Sequence, residues 1–128
     1  MNEPRTHMEG EDDMKVSSVS GITFHVRDLS RTAEFYEELG FRRGKEEPGR
    51  LTLWVNWFFV TFVADEGARD TKGVGAFTYV KVDDVDDYYN ALVSKGLRPE
   101  AEPEKHGDRR EFVLRDPDGY NLVFFEKK

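Results

Sequence analysis

The chain has 128 residues, of which 38% are hydrophobic and 35% charged, and its formal net charge is −7. This length fits one domain with its own core. The acidic balance argues against a nucleic-acid partner, because phosphates require a basic surface. The lack of cysteine excludes disulfides, thiolate metal sites and a cysteine nucleophile. No apolar run approaches membrane-spanning length and no signal region opens the chain. We therefore expect a cytoplasmic protein with no membrane partner.

The N-terminal stretch 1–17 carries five acidic and two basic residues with almost no apolar periodicity, which predicts a disordered acidic leader. After this stretch, the apolar residues become periodic. Ile22, Phe24 and Val26 alternate with polar residues, as in a half-buried strand. Asp28 is a helix-entry residue, and Gly40 ends the helix where a left-handed conformation is wanted.

Three further strands follow in the first half of the chain. The sequence predicts them at 41–47, 51–55 and 58–63, with Pro48-Gly49 as a turn between the first two. The polar, glycine-rich stretch 65–74 that comes next is a natural linker.

The second half of the chain repeats this order of elements. Asp84 to Gly96 spans twelve residues, as does Asp28 to Gly40. Sliding the chain by this register pairs Phe24 with Val80, Val26 with Val82, Leu29 with Val85, Tyr36 with Leu92 and Phe41 with Leu97. Shared spacing with matching apolar positions indicates an internal repeat.

The remaining elements of the second half complete the same order. They are predicted as strand 76–82, helix 85–95, strand 97–102, and strands 110–115 and 120–126 around an Asp116–Gly119 type I turn. The expected fold is α+β, with two βαβββ modules (18–64 and 75–128, linker 65–74) in one domain, 18–128. Helices on one face of each sheet would leave the other faces to form a curved, cup-shaped surface.

The chain resembles the vicinal oxygen chelate superfamily, which includes glyoxalase I, bleomycin-resistance proteins and extradiol dioxygenases. The resemblance rests on FHVRDLSRTAEFYEELGF, FTYVKVDDVDDYYNALVSKGL and the closing REFVLRDPDGYNLVFFE, and it covers residues 19–127. It implies paired βαβββ modules around a cup and assembly as a homodimer.

The resemblance also implies where a divalent metal would bind. It places three ligands at Gly21, Phe77 and Val123, and the fourth near Phe59 and Thr61, where no side chain offers an imidazole or a carboxylate. We therefore expect no metal and no cofactor. A rebuilt site from His25, His106 and an acid such as Glu111 is the alternative.

Strand alternation predicts which side chains line the cup. We expect one set of alternating apolar residues on each strand to pack against the helices. The residues next to them then face the cup as ligand-binding residues, namely Thr23, His25, Trp54, Trp57, Phe59, Thr61, Phe77, Tyr79, Val113, Val123 and Phe125. Such an aromatic, neutral wall with a few polar groups is typical of a small-molecule pocket.

Three functions remain open at this point. The first is a metal-free protein of the bleomycin-resistance type that binds a hydrophobic or aromatic small molecule. The second is an enzyme, a lactoylglutathione-lyase-like lyase or a dioxygenase, with a rebuilt metal site or with His25 as the catalytic base. The third is a structural dimer whose cup is filled by side chains.

Overall fold

The computed structural model describes residues 18–127, so the predicted leader at 1–17 lies outside the described residues. The elements are the strands β1 (Gly21–Val26), β2 (Arg42–Glu47), β3 (Arg50–Val55), β4 (Phe58–Ala64), β5 (Phe77–Lys81), β6 (Glu104–His106), β7 (Arg109–Arg115) and β8 (Asn121–Lys127), and the helices α1 (Leu29–Glu38) and α2 (Val85–Ser94). Neither helix in this part of the chain is long and apolar enough to cross a bilayer.

The two halves of the chain have the same topology. The first forms a four-stranded sheet in the order β1-β4-β3-β2, and the second forms a sheet in the order β5-β8-β7-β6. In each sheet the first strand pairs in parallel with the fourth, and the other pairs are antiparallel. The predicted α+β fold of two βαβββ modules is confirmed.

The repeated aspartate and glycine bound the helices as predicted. Asp28 and Asp84 each accept a hydrogen bond from the backbone N–H three residues later, which satisfies one of the free donors of the first turn. Gly40 and Gly96 follow the helices with φ angles of 108° and 90°. A residue with a Cβ would be strained in this conformation, so glycine is the favoured residue there.

The helices cover one face of each sheet, and the core lies beneath them. Most residues predicted to face the helices are buried, namely Phe24, Val26, Val60, Phe62, Leu122 and Phe124. Period-two alternation was a sufficient guide because each strand has one covered and one uncovered face.

One predicted strand is absent from the structure. Residues 97–102 form no strand, and β6 begins only at residue 104. Pro99 and Pro103 lack the N–H that a ladder requires. This segment keeps one backbone bond to the neighbouring strand, from Glu100 N to Val113 O at 2.8 Å.

The modules meet through their helix-covered sides. The Phe24 ring of β1 lies 4.6 Å from the Tyr120 ring at the start of the last hairpin strand. The Tyr88 hydroxyl on α2 donates to the Leu39 carbonyl at the end of α1, at 2.7 Å. The uncovered faces of the two sheets therefore point away from this contact.

Candidate functional site

The uncovered face of the first sheet, here the module-1 face, carries half of the predicted ligand residues. Alternation along β1, β3 and β4 places five of them together: Thr23, His25, Trp54, Phe59 and Thr61. The Trp54 and Phe59 rings meet edge to face at 5.5 Å. Thr61 is buried, and its hydroxyl is hydrogen-bonded to that of Thr52 at 3.0 Å. The exposed part of this face is thus an aromatic pair beside Thr23 and His25.

Two glycines let these rings lie flat on the sheet. A Cβ added to Gly21 would collide with the ring of Phe59, and one added to Gly44 would collide with the indole of Trp54. Each ring therefore occupies the space that a side chain would fill at the glycine beside it. The module-1 face is covered partly by its own side chains.

His25 is held by a carboxylate that follows the last strand of its module. Its Nδ1 lies 2.8 Å from Asp65 Oδ2, while Asp65 Oδ1 accepts from Gly67 N at 2.8 Å. These two hydrogen bonds, led by that of His25, hold the pKa of Asp65 below its usual value. Because an ionised carboxylate only accepts, the contact requires a proton on Nδ1 and leaves Nε2 as an acceptor in the neutral ring.

The uncovered face of the second sheet, the module-2 face, carries the other ligand residues: Phe77, Tyr79, Val113, Val123 and Phe125. Phe77 and Tyr79 are half exposed, whereas Val123 is buried. The Tyr79 and Phe125 rings meet edge to face at 6.1 Å. The Arg109 guanidinium lies over both rings, 5.2 Å and 5.9 Å from their centroids. This face therefore holds an aromatic pair with a cation already on it.

Trp57 belongs to neither face. It lies in the turn between β3 and β4, where Asn56 has a positive φ of 53°, and it is 64% exposed. Its ring meets that of Phe58 at 5.9 Å. The turn interrupts strand alternation, so counting by twos from the neighbouring strand cannot fix the direction of this side chain.

A buried polar contact joins the modules beside these faces. The Tyr36 hydroxyl of α1 donates to Asp116 Oδ2 at 2.7 Å, and both residues are buried. Asp116 Oδ1 accepts from the backbone of Asp118 and of Tyr120 at 2.9 Å each. Burial raises the pKa of Asp116 and, with the nearby carboxylate, raises that of Tyr36 well above its usual value.

A second polar contact lies next to it. Arg27, which follows β1, donates from Nε to Asp118 Oδ1 at 2.7 Å and from Nη2 to the Pro117 carbonyl. The Asp118 side chain is 3% exposed and that of Arg27 42% exposed. The Asp116–Gly119 segment forms the predicted turn, which is closed by a 2.9 Å hydrogen bond from Gly119 N to Asp116 O. The same segment is therefore also the polar part of the module junction.

Sequence patterns did not reveal two of these features. Asp65 falls in the predicted linker, 40 positions after its histidine partner, and nothing local marks it as a partner. Gly44 interrupts a polar strand, and its packing against an indole depends on the pairing of β2 with β3. Both contacts depend on distant pairings that strand periodicity cannot supply.

A comparison with protein-family models matches residues 18–124 to the glyoxalase/bleomycin resistance protein/dioxygenase superfamily. The chain belongs to this superfamily. No curated protein matches the sequence.

Solved structures share the fold. A bleomycin resistance determinant encoded on transposon Tn5 is 26% identical, with 88% of this chain and 99% of that one covered and a TM-score of 0.72. A bleomycin-binding protein complexed with bleomycin is also 26% identical, covers 88% and 100%, and has a TM-score of 0.71. A fosfomycin resistance protein from Listeria monocytogenes, complexed with Mn(II) and sulfate, is 16% identical, covers 89% and 93%, and has a TM-score of 0.75.

The divalent metal known in enzymes of this superfamily does not fit the residues present here. The Phe59 ring lies over Gly21, where the resemblance placed the first ligand, and a side chain at Gly21 would displace it. Phe77 and Val123 supply no donor atoms, and Val123 is buried. No step of a reaction is therefore assigned to a metal.

A rebuilt site from the two histidines has no support either. Among residues 18–127, the only three potential ligands that lie within reach of one another are Asp84, Asp86 and Glu126. They include neither His25 nor His106, which was expected in a loop and is the exposed last residue of β6. The three carboxylates already have partners. Asp84 caps α2, Asp86 pairs with an arginine at 2.9 Å, and Glu126 accepts from the first N–H of the helix at 2.7 Å.

Proposed function

We propose that this protein is a metal-free binding protein that holds a hydrophobic or aromatic small molecule on the uncovered faces of its two sheets. The observation that carries the proposal is the pair of aromatic clusters, Trp54 with Phe59 and Tyr79 with Phe125, on the same faces as the positions Gly21, Phe77 and Val123 that lack metal ligands. Half-exposed rings on a sheet face favour a planar guest through offset or edge-to-face contacts, each worth roughly 0.5–1.5 kcal/mol.

The charge on the module-2 face favours an uncharged group at that face. Arg109 already occupies the cationic position above Tyr79 and Phe125. A second cation there would be repelled by the guanidinium. An apolar or aromatic guest can pack against the same rings, with the hydroxyl of Thr23 and the imidazole of His25 available to orient it.

The superfamily relatives support binding rather than a particular ligand. Two of the solved structures are a bleomycin resistance determinant and a bleomycin-binding protein with bleomycin bound, each 26% identical to this chain. We infer that this chain also binds a small molecule. Bleomycin itself is the first compound to test.

We also infer that the protein is a homodimer. The modules of one chain meet through their helix-covered sides, as Phe24 with Tyr120 and Tyr36 with Asp116 indicate. The two uncovered faces of one chain point apart, so a cup that uses both requires the module-1 face of one copy and the module-2 face of another. A cytoplasmic location remains a prediction.

The test is a titration of purified protein with bleomycin, followed by tryptophan fluorescence. We expect saturable binding that Phe59→Ala weakens more than tenfold, while Phe35→Ala, a phenylalanine change on the helix side, leaves affinity unchanged once folding is verified. Trp57→Ala examines the more exposed ring by calorimetry. Unchanged affinity of Phe59→Ala would refute the module-1 face as the binding site.

Metal content provides the second arm of the test. Protein purified without chelator and then offered Zn²⁺, Ni²⁺, Mn²⁺ and Fe²⁺ should retain none of them after dialysis. Stoichiometric retention of any one would refute the metal-free proposal and favour an enzyme. A dimer that binds no member of a broad aromatic library would instead favour a structural role.

An enzyme is the second candidate, favoured by the contact between His25 and Asp65. The carboxylate orients the imidazole at 2.8 Å, and the His25 side chain is 59% exposed, so Nε2 can take a proton from a bound substrate. The hemithioacetal of methylglyoxal and glutathione tests lyase activity, and catechol tests dioxygenase activity. Any turnover found that His25→Ala retains in full would remove His25 as the base.

A further inference from the structure

The internal repeat allows the two sides of the module junction to be compared residue by residue. The parallel pairs place Gly21 beside Phe59 in the first module and Phe77 beside Asn121 in the second. The antiparallel pairs place Leu53 beside Val60 and Leu114 beside Leu122. Together with the equal spacing of the helices, these pairings match Phe24 with Val80, Tyr36 with Leu92, Asp116 with Val55, and Tyr120 with Phe58.

One side of the junction is filled. The Phe24 and Tyr120 rings are 4.6 Å apart, and the Tyr36 hydroxyl reaches Asp116 at 2.7 Å. Tyr120 also donates from its hydroxyl to the His25 carbonyl at 3.0 Å. Three aromatic side chains and a buried carboxylate thus fill the space between the modules on this side.

The opposite side of the junction contains a cleft. Its volume is about 360 Å³, and its walls include Ile22, Val55, Phe58, Val60, Phe77 and Val80. Three of these, Val55, Phe58 and Val80, are the counterparts of Asp116, Tyr120 and Phe24. Val80 is therefore a smaller side chain than its counterpart Phe24. Leu92 and Val55, the counterparts of Tyr36 and Asp116, are apolar and cannot form a polar contact.

The chemistry of this cleft restricts what it can hold. Within residues 18–127, no carboxylate, imidazole, ammonium or guanidinium group lines it, although 35% of the chain is charged. Apart from backbone groups, polar atoms come from the hydroxyl of Thr78 and from Tyr79, whose ring packs toward Phe125 on the other face of its sheet. A charged guest would lose hydration without gaining a partner here. Concave, mostly apolar sites of about this volume are typical of small-molecule binding.

We propose that this junction cleft binds an uncharged, largely apolar small molecule, at a site that borders the module-2 face through Phe77 and Tyr79 but is lined mainly by helix-facing residues. Ile22, Phe58, Val60 and Val80 belong to the helix-facing register of their strands, whereas the aromatic pairs lie on the opposite register. The proposal therefore goes beyond the proposed function and does not depend on it.

The sequence offers a specific reporter for the test. Ile22 lines the cleft and is the only isoleucine in the chain, so ¹³C-methyl labelling of isoleucine gives a single resonance. The probe is N-phenyl-1-naphthylamine, an uncharged aromatic fluorophore. Titration of the full chain should give saturable fluorescence with one probe per chain, together with a saturating shift of the Ile22 methyl signal from the ring current of the bound probe.

The repeat also suggests the variant that should close the cleft. Val80→Phe places a ring where the first module has Phe24, next to Phe58, and should weaken probe binding more than tenfold. Val93→Phe, the same change at an exposed helix position, is the matched control and should bind as the wild type does. Phe125→Ala, on the module-2 face, should also leave probe binding unchanged.

Three results would overturn the proposal. They are no saturable shift of the Ile22 methyl signal, wild-type affinity in a folded Val80→Phe, or loss of binding in Phe125→Ala. A methyl shift that depends on protein concentration alone would assign the cleft to a second copy and would also overturn it. If Val80→Phe does not fold, Val55→Phe from the facing strand serves the same purpose.

Discussion

Replacing Tyr36 by phenylalanine isolates the buried contact between the two modules. The change removes one oxygen from a residue that is 2% exposed and keeps the ring that packs against Phe41 and Phe62. The partner, Asp116, is 5% exposed and keeps its two backbone donors on Oδ1. The expected loss is that of one hydrogen bond to a buried carboxylate.

Such a bond contributes about 1.5–3 kcal/mol. With a urea m-value of about 2 kcal/mol/M, the unfolding midpoint should fall by about 1 M. Tyr89→Phe is the matched control, because Tyr89 is a partly buried helix tyrosine whose hydroxyl makes no hydrogen bond within residues 18–127. Its free energy of unfolding should remain within about 0.5 kcal/mol of that of the wild type.

The pH dependence of this loss has a definite sign. Burial raises the pKa of Asp116 in the folded state, and the Tyr36 hydrogen bond opposes that rise. Tyr36→Phe should raise this pKa further, so the native variant binds its proton at a higher pH than the unfolded chain does. The variant's deficit should therefore be full at neutral pH and shrink as the pH falls through the raised folded-state pKa of Asp116. A deficit equal above and below that pKa, or no larger than that of Tyr89→Phe, would refute the reasoning.

Three further substitutions test the site and the junction by urea unfolding. Gly21→Ala should lower the free energy of unfolding by about 1–3 kcal/mol because the new Cβ meets the Phe59 ring. Adding Phe59→Ala to this variant should recover part of the loss. Strictly additive effects of the two changes would exclude the contact. Arg27→Met should lower the urea midpoint because it leaves the buried Asp118 without its charged partner, whereas an unchanged midpoint would make that pair dispensable. Asp65→Asn should lower stability at neutral pH; because the folded-state pKa of Asp65 is depressed, this difference should vanish as the pH falls through that value, and persistence in acid would contradict it.

Most of the fold followed from local pattern, since a strand with one covered face alternates and a capped helix begins and ends at marked residues. The exception is the strand predicted at residues 97–102, where the repeat favoured a strand but Pro99 within the segment and Pro103 after it remove donors that a ladder needs. The ligand-binding residues are a different case. Alternation assigned most of them to a face, but it could not show that Thr61 and Val123 are buried or fix the direction of Trp57, which lies between the predicted strands. Burial and turn geometry depend on neighbouring strands, which the periodicity of one strand does not describe.

The two sides of the junction explain how one repeated unit can carry two different surfaces. A symmetric repeat would either fill both sides with aromatic rings and a buried carboxylate or leave a cleft on both. Here the side with Tyr36 and Asp116 makes the specific, hydrogen-bonded contact that fixes the relative position of the modules. The opposite side can then remain apolar and incompletely filled, because the modules are already held together elsewhere. On this argument, strengthening the apolar side by Val80→Phe should raise stability at the expense of probe binding, whereas weakening the polar side by Tyr36→Phe should lower stability and loosen the cleft as well. Equal probe affinity in folded Tyr36→Phe and wild-type protein would show that the two sides are independent.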